Sequence, residues 1–274
     1  MPSLPLYQLD AFADRPFAGN PAAVCLLQAP LPDDVLQAIA AENNLSETAF
    51  IDVRGGAGQE VLGLRWFTPT VEVDLCGHAT LASGAVVLNE LAPERARVGF
   101  QTRSGRLFVE RGADGELVLD LPLSQPRPVD AETRARVARA LGAEPRAIVR
   151  GAAANAAYYA ELENAAAVRA ARPDLTAVAA LGTGLCVTAG GADEAQPVDF
   201  VSRYFAPSHG IDEDPVTGSA HATLTPFWAE RLGKTRLRAR QVSRRGGELS
   251  CTIDGDRARI GGHCRLVIVG TFRV

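Results

Sequence analysis

The sequence has no excess of basic residues. Its 274 residues include 28 lysines and arginines against 32 aspartates and glutamates, which gives a formal net charge of −4. Nucleic acids and anionic membranes select for basic patches. Neither is therefore an expected partner.

Long apolar runs are also lacking. No stretch approaches the roughly 20 apolar residues that a membrane-spanning helix needs. The first residues, MPSLPLYQLDAFADR, lack the charged start and the apolar centre of a secretory signal. We expect a cytoplasmic protein.

Cysteine is scarce and scattered. The odd number of cysteines and the absence of a CxxC pair indicate neither a disulfide framework nor a zinc site. We expect most of them to be core thiols. The five are Cys25, Cys76, Cys186, Cys251 and Cys264.

What the sequence does contain is the composition of a globular protein. Hydrophobic residues make up 47% and charged residues 22% of the chain. Its length fits one large domain or two of ordinary size, and either can bury a substantial core.

Two motifs occur twice. Residues 65–69 read RWFTP and residues 203–207 read RYFAP. Each is followed by a glycine, Gly77 or Gly218, and then by the letters HATL. Because the copies lie about half a chain length apart, the sequence predicts two related halves.

The residues upstream of these motifs fit the same duplication. Residues 22–27, 32–44 and 46–53 predict a strand, a helix and a strand, and residues 156–162, 164–181 and 184–189 repeat that order. Three prolines within residues 120–130 neither donate to a strand ladder nor continue a helix. We therefore place a boundary near residue 125, between domains 1–125 and 126–274.

The helix predicted after Gly77 is apolar on nearly all sides, so other elements should surround it. Short alternating segments separated by glycine turns predict strands at residues 106–110, 116–121, 258–262 and 265–270. The expected fold is α+β, with a barrel-like, mostly antiparallel sheet wrapped around a central helix in each of two similar domains. Pro226 should kink the second of these helices.

The two glycines mark predicted helix starts. A helix N-terminus leaves about four backbone N–H groups unpaired and carries roughly half a positive charge, so it binds anions. If both ends point into one cleft between the halves, Gly77 and Gly218 predict a site for a small carboxylate. The alternative is that both glycines only form turns that start helices.

Glu47 is the candidate acid/base. Strand alternation over residues 45–53 puts its carboxylate on the apolar face. A buried carboxyl without a cation has a raised pKa, which suits proton transfer near neutral pH. The alternative is a glutamate at a strand end that reaches water or caps a backbone N–H.

His78 and Asp214 are candidate polar partners, His78 to orient or protonate a ligand and Asp214 to hold an amine or a hydroxyl. Each could equally be a solvated or capping residue. Cys76 could be a thiolate of low pKa at a helix start, but the second half offers no matching cysteine. A metal site formed by Cys76, His78 and His221 would need a geometry that two separate helices do not readily give, so no metal is expected.

Several longer stretches resemble one known family. The segments FADRPFAGNPAAV, NLSETAFI, LRWFTPTVEVDLCGHATLASGAVVL, EDPVTGSAHATL and QVSRRGGELS are similar to the PhzF (phenazine-biosynthesis) family, whose fold is that of diaminopimelate epimerase. The resemblance implies two similar domains, an active site in the cleft between them, no cofactor and usually a homodimer. It also implies Glu47 as the general acid/base. Ligand contacts carry over to Asn20, Gly77, His78, Asp214, Gly218 and Ser219.

The resemblance also narrows the chemistry. The epimerase branch of the fold uses two opposed cysteines, and this chain has a cysteine at the first position only. The biosynthetic member isomerises trans-2,3-dihydro-3-hydroxyanthranilate without a cofactor, which implies an isomerase that moves a proton between carbons of a small unsaturated acid. The alternatives are a racemase or epimerase that uses Cys76, and a non-catalytic protein that binds small acids.

Overall fold

The strands of this chain form two sets with the same pairing order. The computed structural model describes residues 3–56, 59–152 and 156–274, and these residues form eighteen strands and six α-helices. Contacts divide the chain into two units, Met1–Leu121 with Gly261–Val274, and Pro122–Ile260. The C-terminal segment thus belongs to the first unit. The predicted boundary near residue 125 stays a prediction.

The first unit contains two helices, α1 (Asp33–Asn43) and α2 (Gly77–Ala85), and α2 continues directly into a π-helical segment, Val86–Leu91. Its strands are β1 (Ser3–Ala11), β2 (Asn20–Leu27), β3 (Glu47–Asp52), β4 (Val61–Phe67), β5 (Glu72–Val73), β6 (Arg97–Thr102), β7 (Gly105–Arg111), β8 (Leu117–Pro122) and the C-terminal β18 (Cys264–Arg273).

Most neighbouring strands of the first unit are antiparallel. Strand β1 lies between β18 and β2, and β2 pairs in parallel with β3. Strand β4 is antiparallel to β3 and β5 and parallel to β6. Strand β7 is antiparallel to both β6 and β8.

The second unit contains four helices, α3 (Ala131–Leu141), α4 (Ala165–Ala170), α5 (Leu175–Ala179) and α6 (Gly218–Leu232). Its strands are β9 (Arg127–Pro128), β10 (Ala147–Arg150), β11 (Tyr158–Glu161), β12 (Leu185–Gly190), β13 (Phe200–Ala206), β14 (Ile211–Asp214), β15 (Arg236–Gln241), β16 (Gly247–Asp254) and β17 (Arg257–Gly262).

The pairing order of the second unit repeats that of the first. Strand β10 lies between β9 and β11, and β11 pairs in parallel with β12. Strand β13 is antiparallel to β12 and β14 and parallel to β15, which is antiparallel to β16. Strands β10 to β16 therefore have the same pairing partners and directions among themselves as β1 to β7, as the repeated motifs predict.

The repeated arginine motif makes the same contacts in both units. Arg65 donates to Glu72 through Nε and Nη2, at 2.7 and 2.8 Å, and lies 5.0 Å from the ring of the phenylalanine two residues along. Arg203 donates to Glu213 at 2.7 and 2.9 Å and lies 4.9 Å from the equivalent ring. In each copy this fork ties the hairpin that leads to the buried helix, since a bidentate guanidinium–carboxylate pair is geometrically specific.

Helix α2 is buried along its whole length. Every residue from Gly77 to Ala85 is buried, and the helix packs against β1, β2, β3 and β7. Its hydroxyl groups bond within the helix, Thr80 to the carbonyl of Cys76 and Ser83 to that of Ala79. A Cβ at Gly84 would lie 2.4 Å from Val109 on β7, so this close approach requires glycine.

Helix α1 covers the other side of the same strands. Asp33 and Asp34 in its first turn favour the positive end of the helix dipole, and Asn44 ends it in the left-handed conformation. Leu36 and Ile39 pack with Phe50 and other side chains of β2 to β4. Strand β3 is consequently buried on both faces, with Phe50 toward α1.

One predicted helix is wrong. Residues 164–181 form two short helices, α4 and α5, instead of one. Pro173 cannot continue a helix, and the side chain of Asp174 accepts hydrogen bonds from the N–H groups of Thr176 and Ala177, which starts a new one.

Helix α6 is continuous from Gly218 to Leu232 although Pro226 lies inside it. The predicted kink stays a prediction. Within the described parts of the chain, no helix combines the length and the apolar character that crossing a membrane requires. The fold is α+β and mainly antiparallel, which confirms the predicted class.

Candidate active site

Three of the predicted site residues meet at the start of α2. Asn20 is the first residue of β2, Glu47 is the first residue of β3, and His78 is the second residue of α2. Because β2 and β3 are parallel, their first residues lie at the same edge of the sheet, with Glu47 opposite Ala22. Helix α2 packs across both strands, which brings His78 to this edge.

The imidazole of His78 lies between an amide and a carboxylate. Its Nδ1 atom is 3.0 Å from Nδ2 of Asn20, and its Nε2 atom is 3.2 Å from Oε2 of Glu47. An amide NH₂ only donates, so in this arrangement Nδ1 accepts and the ring proton resides on Nε2, facing the carboxylate. The Nε2 and Oε2 atoms are within ion-pair distance without the alignment of a hydrogen bond.

Burial determines the protonation state of the His78 imidazole. His78 is 3% exposed, and its burial lowers the pKa of the imidazole from 6.5 to about 3. The ring is therefore neutral at neutral pH. The Glu47 side chain is 13% exposed, so most of it is shielded from water. The contact joins a carboxylic group to a neutral imidazole and is not a salt bridge.

Cys76 adjoins the same group. It is buried immediately before α2, and its Sγ atom lies 3.5 Å from Nδ1 of His78. Glu47, Cys76 and His78 each present one atom of a kind that binds metals, and these three atoms lie within 4.8 Å of one another. This cluster contains Glu47 and not His221, the third residue of the metal site that the sequence analysis considered and did not expect.

The start of α2 has no side-chain cap. Cys76 occupies the N-cap position without capping the helix, and the first turn contains no acidic residue. In α3, by contrast, Asp130 accepts a hydrogen bond from the N–H of Thr133. The first N–H groups of α2 thus keep the anion-binding character that a capping side chain would satisfy.

The remaining predicted residues lie around the start of α6 in the second unit. Asp214 is buried at the end of β14, and its Oδ2 atom accepts a hydrogen bond of 2.5 Å from Oγ1 of Thr217. Gly218 is buried and Ser219 is half-buried in the first turn of α6. Thr217 occupies the N-cap position but does not cap α6 with its side chain.

Gln241, which sequence reasoning missed, fixes this turn. Its Oε1 atom accepts from the N–H of Thr217 at 2.9 Å, and its Nε2 atom donates to the carbonyl of Asp214 at 2.8 Å. Gln241 ends β15, the strand parallel to β13, and no local sequence pattern marks it.

His221 is packed as a core residue. It is fully buried, its Nδ1 atom donates to the carbonyl of Thr217 at 2.8 Å, and its ring stacks on Phe200 with centroids 5.7 Å apart. Burial lowers its pKa from 6.5 to about 4, so this ring is also neutral at neutral pH.

Known proteins match this chain over its whole length. A Pseudomonas aeruginosa protein named as an uncharacterized isomerase is 48% identical over 272 residues, which are 99% of each chain. The crystal structure of a PhzF-family phenazine biosynthesis protein from Enterococcus faecalis is 42% identical and covers 100% of both chains, with a TM-score of 0.87.

More distant structures share the fold. A hydroxyproline epimerase from Agrobacterium vitis is 10% identical, with a TM-score of 0.59 over 98% of this chain and 92% of its own. The model of the PhzC-PhzF family, described as phenazine biosynthesis-like protein, matches residues 9–270. The chain therefore belongs to the phenazine biosynthesis-like (PhzC-PhzF) family, whose relatives include proteins named as isomerases and whose fold is shared with an epimerase.

Proposed function

We propose that this protein is a cofactor-independent isomerase that moves a proton between two carbons of a small unsaturated acid or amino acid. Glu47 is the general acid/base. The observation that supports this role most directly is the largely buried Glu47 carboxylate, 3.2 Å from a neutral imidazole and beside a helix start without a side-chain cap.

The reaction uses Glu47 twice. As a carboxylate it removes a proton from a carbon that an adjacent unsaturated acid activates, and as a carboxylic acid it returns the proton to a second carbon. The N–H groups that begin α2, at Gly77 and His78, hold the carboxylate of the substrate and stabilise the charge that spreads onto it.

His78 and Asn20 orient the acid/base in this proposal. With the amide of Asn20 at Nδ1, the ring proton of His78 is on Nε2, which lies 3.2 Å from Oε2 of Glu47, and a small rotation brings the two groups into a hydrogen bond that orients the carboxylate. Because the ring is neutral, it does so without placing a full positive charge beside Glu47.

The distance between Cys76 and Glu47 disfavours an epimerase that uses these two residues as its two bases. Two bases on opposite faces of one carbon each approach it to roughly 3–3.5 Å, so they stand about 6–7 Å apart. The ligand-type atoms of Glu47 and Cys76 lie within 4.8 Å of each other. A single base that works on one face of the substrate fits this spacing.

The second unit contributes the remaining predicted contacts. We assign Asp214 to an amine or hydroxyl of the substrate, and Gly218 and Ser219 to its carboxylate or a second polar group. The support is the buried position of Asp214 and the uncapped start of α6. That these residues contact the same substrate as Glu47 stays a prediction.

The finer architecture and the partners are part of the same proposal. Each unit is a barrel-like sheet wrapped around its buried helix, as the family resemblance implies. The protein is a homodimer and binds neither nucleic acid nor membrane. Exposed apolar side chains on β18, at Leu266, Ile268 and Val269, would favour self-association. Light scattering during gel filtration tests the dimer.

The experiment is a screen in deuterated buffer. Cyclic and acyclic unsaturated acids and amino acids are incubated with the protein and a chelator, and label uptake is followed by mass spectrometry. We expect deuterium at a carbon of at least one acid with no added cofactor, and unchanged uptake in Cys76→Ser. Loss of uptake in that variant would instead support an epimerase that uses Cys76. Tight binding of an acid without uptake would indicate a non-catalytic binding protein.

A further inference from the structure

Three side chains that commonly bind metals converge in the first unit. Ligand-type atoms of Glu47, Cys76 and His78 lie within 4.8 Å of one another. The side chain of Glu47 is 13% exposed, and Cys76 and His78 are 5% and 3% exposed. The cluster is therefore a shielded pocket of ligands and not a surface group of acids.

The ligand types match those of thiophilic divalent cations. Thiolate, imidazole and carboxylate are the side chains that bind Zn²⁺, at about 2.0–2.3 Å, which spaces tetrahedral ligands roughly 3.3–3.7 Å apart. In this cluster Sγ of Cys76 is 3.5 Å from Nδ1, and Oε2 of Glu47 is 3.2 Å from Nε2.

Those two contacts involve different nitrogens of the His78 ring. A metal needs all three ligands around one point, so either Cys76 or Glu47 must approach the other nitrogen. Because the three ligand-type atoms lie within 4.8 Å of one another, a movement of about 1 Å brings the most distant pair to tetrahedral spacing. A change of side-chain torsion supplies this, since Glu47 has three rotatable bonds and lies at a strand end.

The charges of the cluster also suit a divalent cation. A thiolate and a carboxylate together carry two negative charges, which balance a dication in a shielded site. Three protein ligands leave one position for water or a carboxylate, the arrangement of an open site. A metal on Nδ1 uses the lone pair that accepts the hydrogen bond of the Asn20 amide at 3.0 Å, so that amide must turn away when the metal binds.

We propose that Glu47, Cys76 and His78 bind Zn²⁺ or a similar thiophilic cation reversibly, and that the bound cation inhibits the enzyme by occupying the carboxylate of Glu47. The cation is an inhibitor and not a cofactor, because the group that it binds is the one that must accept the proton. The inhibition rests on the proposed function, whereas the binding does not.

Cobalt is the probe for binding, because a thiolate bound to Co²⁺ absorbs in the near ultraviolet. Cobalt chloride is added to the wild-type protein, to Cys76→Ser, and to the matched control Cys264→Ser, which removes a thiol that follows a histidine directly in the sequence. We expect the absorption band in the wild type and in Cys264→Ser and its loss in Cys76→Ser. Absence of the band from the wild type, or its loss in the control alone, would overturn the proposal.

Calorimetry with zinc chloride gives a second measure that does not depend on absorbance. Loss of an outer contact typically lowers metal affinity by 10–100-fold, so loss of the ligand itself in Cys76→Ser or Glu47→Gln should lower it by about 100-fold or more. Equal affinities in both variants and the wild type would contradict the assignment.

Inhibition is measured separately, on the acid found by the deuterium screen. We expect zinc to stop label uptake in the wild type and a chelator to restore it. Uptake that persists with zinc bound refutes the inhibition. If no acid takes up label, the proposed function fails, while the cobalt and calorimetric results still decide the metal site.

Discussion

Acidification should destabilise this protein through its two buried histidines. Burial lowers the pKa of His78 from 6.5 to about 3 and that of His221 from 6.5 to about 4. Between pH 6.5 and those values the folded protein keeps both rings neutral, whereas the unfolded chain protonates them. The unfolded state then binds more protons, so the free energy of unfolding falls as the pH falls below 6.5.

The size of the effect follows from the pH interval. A difference of one bound proton changes the free energy of unfolding by about 1.4 kcal/mol per pH unit. From pH 6.5 to pH 5 this change accumulates over roughly 1.5 pH units. Each histidine therefore lowers the free energy of unfolding by about 2 kcal/mol, and the pair lowers it by about 4 kcal/mol. The free energy of unfolding of a typical domain is about 5–15 kcal/mol, so a loss of this size is readily measured.

The assay is urea unfolding at pH 7 and pH 5, in the wild type and in His221→Asn. Asparagine keeps a donor near the position of Nδ1, which donates to the carbonyl of Thr217 at 2.8 Å, but it does not titrate. The variant starts less stable, and its loss between the two pH values should be about 2 kcal/mol smaller. An equal loss in both proteins would refute the conclusion that His221 stays neutral when folded.

Two substitutions test the packing and the polar turn. Gly84→Ala places a Cβ 2.4 Å from Val109 and should lower the free energy of unfolding by about 1–3 kcal/mol, whereas Gly190→Ala, which meets no atom within 4 Å, should change it little. Equal effects in a urea titration would contradict the close approach of α2 to β7. Thr217→Val removes the donor to Asp214 and should cost about 1–3 kcal/mol, against about 0.5 kcal/mol or less for exposed Thr176→Val. A Thr217→Val protein as stable as the wild type would show that this bond is dispensable.

Local patterns in the sequence were sufficient for the regular elements. Helix α1 and strand β3 lie within one residue of their predicted ends, because proline, aspartate and asparagine mark the helix boundaries and apolar residues mark the strand. The duplication was also readable, since RWFTP and RYFAP build the same arginine fork in each unit. The break at Pro173 was visible too, but the alanine-rich surroundings outweighed it.

Contacts between residues that are far apart in the sequence could not be predicted from local patterns. Asn20 reaches His78 only because β2 and β3 run in parallel and α2 crosses them, and Gln241 reaches Asp214 only because β15 lies beside β13. The contact of Cys76 with His78 links neighbours in sequence, yet its meaning depends on Glu47, which lies 29 residues before Cys76. These pairings depend on topology and leave no periodic signal along the chain.

The central claim is that Glu47 transfers the proton. Its most direct test compares Glu47→Gln with Glu42→Gln, an exposed glutamate on α1, for uptake of solvent deuterium and for binding of the same acid. We predict that Glu47→Gln binds the acid but takes up no label, because glutamine keeps the shape of the side chain and cannot accept the proton, while Glu42→Gln behaves as the wild type. Label uptake by Glu47→Gln at the wild-type rate would contradict the account.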